Sequence, residues 1–85
     1  MGTKIRLNTM LKNALVDCLT IFPYYNLNEL SEITERNPQE LEAILNGAEM
    51  SESEAVNTIL ALDENTNCLS ESQYDELKNI IWEVF

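Results

Sequence analysis

Apolar residues recur at intervals of three and four along most of this chain of 85 residues, and that spacing is typical of amphipathic α-helices. The first apolar stripe lies between Asn8 and Ile21, and Pro23 ends it because proline cannot continue a helix. Similar stripes follow in the middle and in the C-terminal part of the chain. The spacing predicts an all-α fold of five helices, near residues 8–21, 27–35, 38–46, 52–62 and 71–84.

Four of these helices begin with the same capping chemistry, in which Asn or Ser precedes Glu or Gln by three residues. The pairs are Asn26 and Glu29, Asn37 and Glu40, Ser51 and Glu54, and Ser70 and Gln73. Pro38 adds a second start signal after Asn37, and Asn46 with Gly47 is a stop signal. Four helix starts with the same type of capping pair support the division of the chain into these five helices.

The apolar faces are expected to share one core, within a single domain that spans residues 1–85. The predicted core residues are Leu11, Leu15, Leu30, Ile33, Leu41, Ile44, Val56, Ile59, Leu77 and Ile81. Phe22, Tyr24 and Tyr25 are expected to pack between the first two helices.

One aromatic residue of the last helix stands apart from its apolar face. That face contains Tyr74, Leu77, Ile80, Ile81, Val84 and Phe85. Trp82 projects away from it, one turn after Lys78. Either Trp82 lies under the stem of Lys78 on a monomer surface, or it anchors a dimer or partner interface, where aromatic residues contribute strongly to binding.

Residues 26–47 carry two capped helix starts eleven positions apart and end on Asn-Gly. This segment resembles the helix-turn-helix family of phage repressors and Cro proteins. The resemblance is carried by Glu29, Leu30, Leu41, Ile44, Asn46 and Gly47. It is close over about a quarter of the chain and looser through Val56 and Ile59. It implies a repressor-like domain of five helices, although Glu35 and Arg36 stand where the family usually has glycine and an aliphatic residue.

The second helix of such a motif reads the major groove of DNA with Arg, Lys, Gln or Asn, supported by cations that contact phosphates. Here Glu40 and Glu42 would bring carboxylates toward DNA, and only Gln39 is suited to reading a base. The cations left for a DNA-binding alternative are Arg36, Lys4, Arg6 and Lys12. The resemblance therefore supports the scaffold more than it supports direct DNA binding.

The net charge of −10 comes from fifteen acidic and five basic residues, and residues 26–76 hold thirteen of the acids and only one base, Arg36. The negative electrostatic potential of such a surface repels nucleic acids and anionic membranes. It attracts a basic protein surface, such as that of a nucleic-acid-binding protein. The simpler alternative is that the charge only keeps a small protein soluble. The predicted partner-binding residues are Glu35, Glu40, Glu42, Glu49, Glu52, Glu54 and Trp82.

The ingredients of an active site are missing from the sequence, because it has no His, no Gly-rich phosphate loop and no nucleophile with a base beside it. Asp63, Asn65 and Asn67 begin like a calcium loop, but Tyr74 stands where such a loop needs Glu. We therefore expect neither catalysis nor a cofactor or metal.

Cys18 and Cys68 are expected to be free thiols, with Cys18 a small core residue. A disulfide between them is the alternative. A zinc site is unfavourable because the chain has only these two thiols and no His.

The sequence contains neither a long apolar run nor a signal peptide, and we therefore expect a cytoplasmic protein. The favoured hypothesis is a small acidic regulator or inhibitor that acts by protein–protein contact on a helix-turn-helix scaffold. An anti-CRISPR or antirepressor-like protein of a phage or mobile element is an example of this class, and a DNA mimic is one form that this hypothesis takes. The alternative is a DNA-binding transcriptional repressor of the helix-turn-helix family.

Overall fold

A computed structural model describes residues 2–21 and 23–84 of the chain. The helices in chain order are α1 (Thr3–Thr20), α2 (Leu27–Thr34), α3 (Pro38–Leu45), α4 (Glu52–Thr66) and α5 (Glu71–Val84). No strand occurs within the described residues, and the predicted all-α fold of five helices is confirmed. The predicted packing of Phe22, Val84 and Phe85 concerns side chains outside that description.

Two of the four predicted capping pairs are reciprocal. The Glu29 N–H donates to Asn26 Oδ1 at 2.8 Å, and the Asn26 N–H donates to Glu29 Oε1 at 3.0 Å. Ser70 and Gln73 exchange the same two bonds at the start of α5. The caps of α3 and α4 satisfy only the N–H group three residues on, which belongs to Glu40 or Glu54. The carboxylates of those two glutamates are therefore available for other contacts.

Two predicted helix ends were wrong. Helix α1 begins at Thr3, five residues before the predicted start, after Gly2, which forms no side-chain cap. Helix α4 continues four residues beyond the predicted end, to Thr66. The last turn of α4 consists of polar residues that face solvent. The Thr66 Oγ1 hydroxyl donates to the carbonyl of Leu62, four residues earlier in the helix. Asn67 then ends α4 in the left-handed conformation that Asn tolerates.

Helix α1 lies at the centre of the fold and packs against α3, α4 and α5, while α2 packs against α3 and α4. Eight of the ten predicted core residues are buried: Leu11, Leu15, Leu30, Leu41, Ile44, Val56, Ile59 and Leu77. Ile33 and Ile81 are only half-buried at the edge of the core. In α5 Ile80 is fully buried like Leu77, since it lies one turn after Leu77 on the side that faces α1.

The two tyrosines after α1 have different environments. Tyr25 is half-buried and packs against the core, as predicted. Tyr24 is 68% exposed, and its predicted core packing was wrong. Both residues lie in the non-helical connection before α2, and only Tyr25 faces the core.

The turn between α2 and α3 places a side-chain-bearing residue in a conformation that favours glycine. Glu35 has φ 56° and ψ 32°, in the left-handed region. The Ser31 carbonyl accepts the N–H groups of Glu35 and Arg36, and the Ser31 hydroxyl donates to the Arg36 carbonyl. These bonds hold the turn in a conformation that its sequence disfavours.

The end of α3 confirms the predicted Asn-Gly stop. Gly47 has φ 105°, a value that side chains rarely allow. Its N–H donates to the Ile44 carbonyl at 3.0 Å, and the Ala48 N–H donates to the Ala43 carbonyl at 2.9 Å. These two bonds form a Schellman motif, which turns the chain away from the helix axis.

A buried asparagine fixes the connection between α3 and α4 to α1. The Met50 N–H donates to Asn8 Oδ1 at 2.7 Å, and Asn8 Nδ2 donates to the Met50 carbonyl at 2.9 Å. Asn8 Nδ2 also donates to the Lys4 carbonyl within α1. Both backbone groups of Met50 are therefore satisfied, although they lie in a non-helical segment against the core.

Candidate functional site

Two of the acidic residues predicted to bind a partner are paired with one cation at the junction of three segments. Arg36 Nη1 lies 3.0 Å from Glu54 Oε2 on α4 and 3.5 Å from Glu40 Oε2 on α3. The Arg36 side chain is only 24% exposed. The guanidinium therefore joins the α2–α3 turn to the first turns of α3 and α4, and two carboxylates neutralise it.

The carboxylate of Glu54 is held in its charged form by its neighbours. The hydrogen bond from the Ser51 hydroxyl, at 2.9 Å, is the main reason that the pKa of Glu54 lies below its ordinary value. The hydrogen bond and charge of Arg36 act in the same direction. Glu54 is thus ionised at neutral pH and carries both a capping role and an ion pair.

The other predicted acidic residues do not all share this location. Glu40 and Glu42 are two residues apart on α3, about 200° around its axis, and so they flank its exposed face on opposite sides. Glu49 lines a shallow cavity beside Lys12 of α1. Glu35 is exposed in the turn, and Glu52 is half-buried at the first position of α4. The structure gathers Glu40 and Glu54 around Arg36, and it distributes the rest around that end of the molecule.

Several of these carboxylates also stabilise helix starts. Glu40 lies in the first turn of α3, and Glu52 and Glu54 lie in the first turn of α4. Negative charge near a helix N-terminus interacts favourably with the helix dipole, typically by about 0.3 to 1 kcal/mol. This local role accounts for Glu40, Glu52 and Glu54 without a partner, whereas Glu42 and Glu49 have no such role.

The exposed face of α3 contains no cation. Gln39 and Ala43 occupy its outer positions, with Glu40 and Glu42 beside them. The nearest base, Arg36, is already paired with two carboxylates. A DNA phosphate approaching this face would therefore meet negative charge.

The remaining cations of the DNA-binding alternative lie on α1. Arg6 is within 3.8 Å of Glu76 and 3.9 Å of Glu83, both on α5. Lys4 and Lys12 are exposed, and the helical rotation spreads them and Arg6 over different sides of α1. The structure does not bring these residues onto one face with Gln39.

Trp82 is 89% exposed, which agrees with its predicted projection away from the apolar face of α5. Lys78 does not cover it, because the Lys78 ammonium lies over the Tyr74 ring, 5.5 Å from the ring centre. The interpretation in which Trp82 lies under Lys78 was therefore wrong. Tyr74, Lys78 and Trp82 follow one another at intervals of four and form an exposed strip along α5.

The two cysteines are free thiols, as predicted, and they are neighbours in space. Cys18 Sγ lies 3.5 Å from Thr66 Oγ1, and the Cys68 thiol is hydrogen-bonded to Cys18. This bond is the main reason that the pKa of Cys18 is lowered to about 7, while burial and Asp17 oppose the change. The same bond, together with burial, raises the pKa of Cys68. Both residues line a cavity of about 170 Å³.

Two structural roles were not predicted from the sequence. Asn8 marks only the approximate start of the predicted first helix, although its position three residues before Leu11 places it on the side that meets the core. The contact between Cys18 and Cys68 links positions 50 residues apart, and no local pattern marks it.

Comparison of the chain with protein-family models, with curated proteins and with solved structures finds no significant match. Within the described residues, no helix is both long and apolar enough to cross a membrane. No three His, Cys, Asp or Glu side chains in that part of the chain are placed to hold a metal ion.

Proposed function

We propose that this chain is a small acidic regulator or inhibitor that acts in the cytoplasm by contact with a basic protein surface, and that it is not an enzyme. The partner is proposed to be a nucleic-acid-binding protein of a host, as for anti-CRISPR or antirepressor proteins of phages and mobile elements. In this proposal α2, the turn at 35–37 and α3 form a repressor-like helix-turn-helix, and the carboxylates occupy positions where DNA phosphates would otherwise bind.

The observation that carries the proposal is the charge of α3 and its surroundings. Glu40 and Glu42 flank its exposed face, and Arg36 beside it is neutralised by Glu40 and Glu54. A protein that binds DNA gains affinity by releasing counterions from phosphates, and for this it needs unpaired cations. Carboxylates on the same face would attract a basic protein surface and accelerate association with it.

The alternative function is a DNA-binding transcriptional repressor. It is favoured by one observation, namely that α2 and α3 are two short helices joined by a three-residue turn, with Gln39 exposed early in the second. Its phosphate contacts would have to come from Lys4 and Lys12, because Arg6 and Arg36 are paired with carboxylates.

Charge reversal tests the favoured function. The partner is first isolated from a host lysate with the tagged protein, and its association rate is then measured for the wild type and for Glu40→Lys/Glu42→Lys. We expect association to slow several-fold at low salt, with the difference shrinking as salt screens the charges. Circular dichroism should show unchanged helix content, because both side chains are exposed and Arg36, which loses Glu40, keeps its ion pair with Glu54.

The matched control is Glu64→Lys/Asp75→Lys, which reverses two exposed charges on α4 and α5 and changes the net charge equally. If both double variants slow association to the same degree, the α3 face is not the binding site and the effect is one of net charge. If the wild type instead shifts a specific DNA duplex at nanomolar concentration in about 0.15 M salt, the repressor function replaces the favoured one.

A further inference from the structure

The two thiols meet where three parts of the chain converge. Cys18 lies in the last turn of α1, and Cys68 lies in the connection between α4 and α5. Thr66, in the last turn of α4, places its hydroxyl 3.5 Å from Cys18 Sγ. Since the connection after Asn67 is not helical, Cys68 can adjust its position without breaking a helix.

Both cysteines line one cavity, and Cys68 is the more exposed of the two, since Cys18 is only 4% exposed and belongs to the core. The cavity has a volume of about 170 Å³, and Ile21, Pro23 and Tyr25 line it together with both cysteines. Cys68 is half-buried, so part of its side chain reaches solvent. A space of this size exceeds that of a few water molecules and admits the sulfur end of a small molecule.

The surroundings also favour a nucleophile at Cys18. The Cys68 thiol is hydrogen-bonded to Cys18, and Thr66 provides a second hydrogen bond. The bond from Cys68 stabilises a thiolate at Cys18 and is the main reason that its pKa is lowered to about 7, so that a large fraction is ionised at neutral pH. Thiolate is the reactive form in thiol–disulfide exchange, and Cys68 is already beside the sulfur that would be modified.

We propose that Cys18 and Cys68 form a dithiol site that reacts with low-molecular-weight disulfides and closes reversibly to an intramolecular disulfide. This site is separate from the proposed partner-binding face, since it lies at the end of α1 rather than on α3.

The reaction balances in two exchange steps. The Cys18 thiolate attacks one sulfur of a disulfide RSSR and forms a Cys18–SR bond, and RS⁻ leaves with the electron pair of the broken S–S bond. The Cys68 thiol then loses its proton, attacks the Cys18 sulfur and expels the second RS⁻. Both RS⁻ ions take up a proton. The protein loses two hydrogen atoms, RSSR is reduced to two RSH, and excess RSH reverses the reaction.

Closure would join the end of α1 to the connection before α5. The bond needs sulfur atoms about 2.0 Å apart, so the two hydrogen-bonded thiols must move closer. Because α5 itself packs on α1, the bridge links parts that are already neighbours in the fold. The cross-link would also restrict the unfolded chain over 50 residues, which predicts a more stable protein after oxidation.

The test is incubation of the folded wild-type protein with oxidised glutathione, followed by intact-mass and peptide-mass spectrometry. The expected product has lost two hydrogen atoms and both free thiols, carries no glutathione, and contains a Cys18–Cys68 linked peptide. Its midpoint of thermal unfolding should rise by on the order of 10 °C and return to its initial value after reduction.

Single variants check the order of the steps. Cys68→Ser should accumulate glutathione on Cys18, because the serine hydroxyl can still donate a hydrogen bond to Cys18 but cannot resolve the mixed disulfide. Cys18→Ala should react far more slowly, because Cys68 lacks the stabilised thiolate. Helix content by circular dichroism shows whether each variant is folded, and the wild-type result stands independently of them.

Three outcomes would overturn the proposal. The first is a wild type that keeps both thiols free while denatured protein reacts in the same buffer. The second is a stable glutathione adduct that does not resolve, and the third is a disulfide formed only between two chains.

Discussion

Asn8 is the only asparagine on α1 that is buried, and it carries a structural role that its residue type rarely has inside a helix. Its amide pairs with both backbone groups of Met50, 42 residues away. Removing an asparagine that satisfies two buried backbone groups costs more stability than the loss of its own hydrogen bonds, because the two backbone groups are left without partners.

We predict that Asn8→Ala lowers the free energy of unfolding by about 2 to 4 kcal/mol, since the N–H and the carbonyl of Met50 lose their partner together. Urea unfolding of the wild type and the variant measures the loss. Asn13→Ala is the control, because Asn13 is exposed on the same helix and should change stability by no more than about 0.5 kcal/mol. Similar values for the two variants would show that water replaces the Asn8 amide.

A second prediction at this scale concerns the left-handed conformation of Glu35. Glu35→Gly should be more stable than Glu35→Ala by about 0.5 to 1 kcal/mol, because glycine removes the clash of Cβ but adds backbone entropy to the unfolded chain. Both variants lack the carboxylate, so their difference isolates the backbone term. Chemical unfolding of both variants measures this difference in stability. Equal stabilities would show that the Glu35 conformation carries no strain.

The helices themselves were largely predictable, because each amphipathic stripe with a capped start became a helix. Asn26 and Ser70 marked their helix starts correctly, since their side chains replace missing backbone partners. The start of α1 was missed because Gly2 provides no side-chain cap. The end of α4 was missed because Asp63 to Thr66 have the composition of a loop but form a solvated helical turn.

The arrangement of the candidate site was less predictable. The exposure of Glu42 and Glu49 follows from helix periodicity and turn composition. The grouping of Glu40 and Glu54 around Arg36 does not, because it depends on the dihedral angles of Glu35 and on how α4 docks against α2. Periodicity identifies which side of a helix is exposed but not which other helix lies beside it.

At the scale of one helix, we predict the effect of truncating the core residue of α3. Leu41 is fully buried, so Leu41→Ala should cost on the order of 2 to 5 kcal/mol from lost burial and the cavity that remains. Glu42→Ala, on the exposed side of the same helix, should stay within about 0.5 kcal/mol. A loss below about 1 kcal/mol for Leu41→Ala, measured by urea unfolding, would contradict the assigned packing of α3.

The molecule as a whole presents two different surfaces. One end carries carboxylates around α3, and α5 carries the strip of Tyr74, Lys78 and Trp82. A side chain as large as Trp82 that is almost fully exposed is uncommon on a monomer, and such residues are enriched at interfaces.

We predict that α5 forms a self-association or partner contact through Trp82. Analytical ultracentrifugation should show a dimer for the wild type that weakens at least tenfold in Trp82→Ala, or else partner affinity should fall by a similar factor. Asn79→Ala is the control, because it removes another exposed side chain of α5 and leaves the aromatic strip intact. Monomers in every case, with unchanged partner affinity, would make Trp82 a surface residue without a binding role.

The central position of α1 has a consequence for synthesis on the ribosome. Helix α1 leaves the ribosome before α3, α4 and α5, the three helices against which it packs. Its fully buried residues Leu7, Leu11 and Leu15 are therefore not completely covered until α3, α4 and α5 have been translated. During that interval the nascent chain exposes part of an apolar helix side that the folded protein buries.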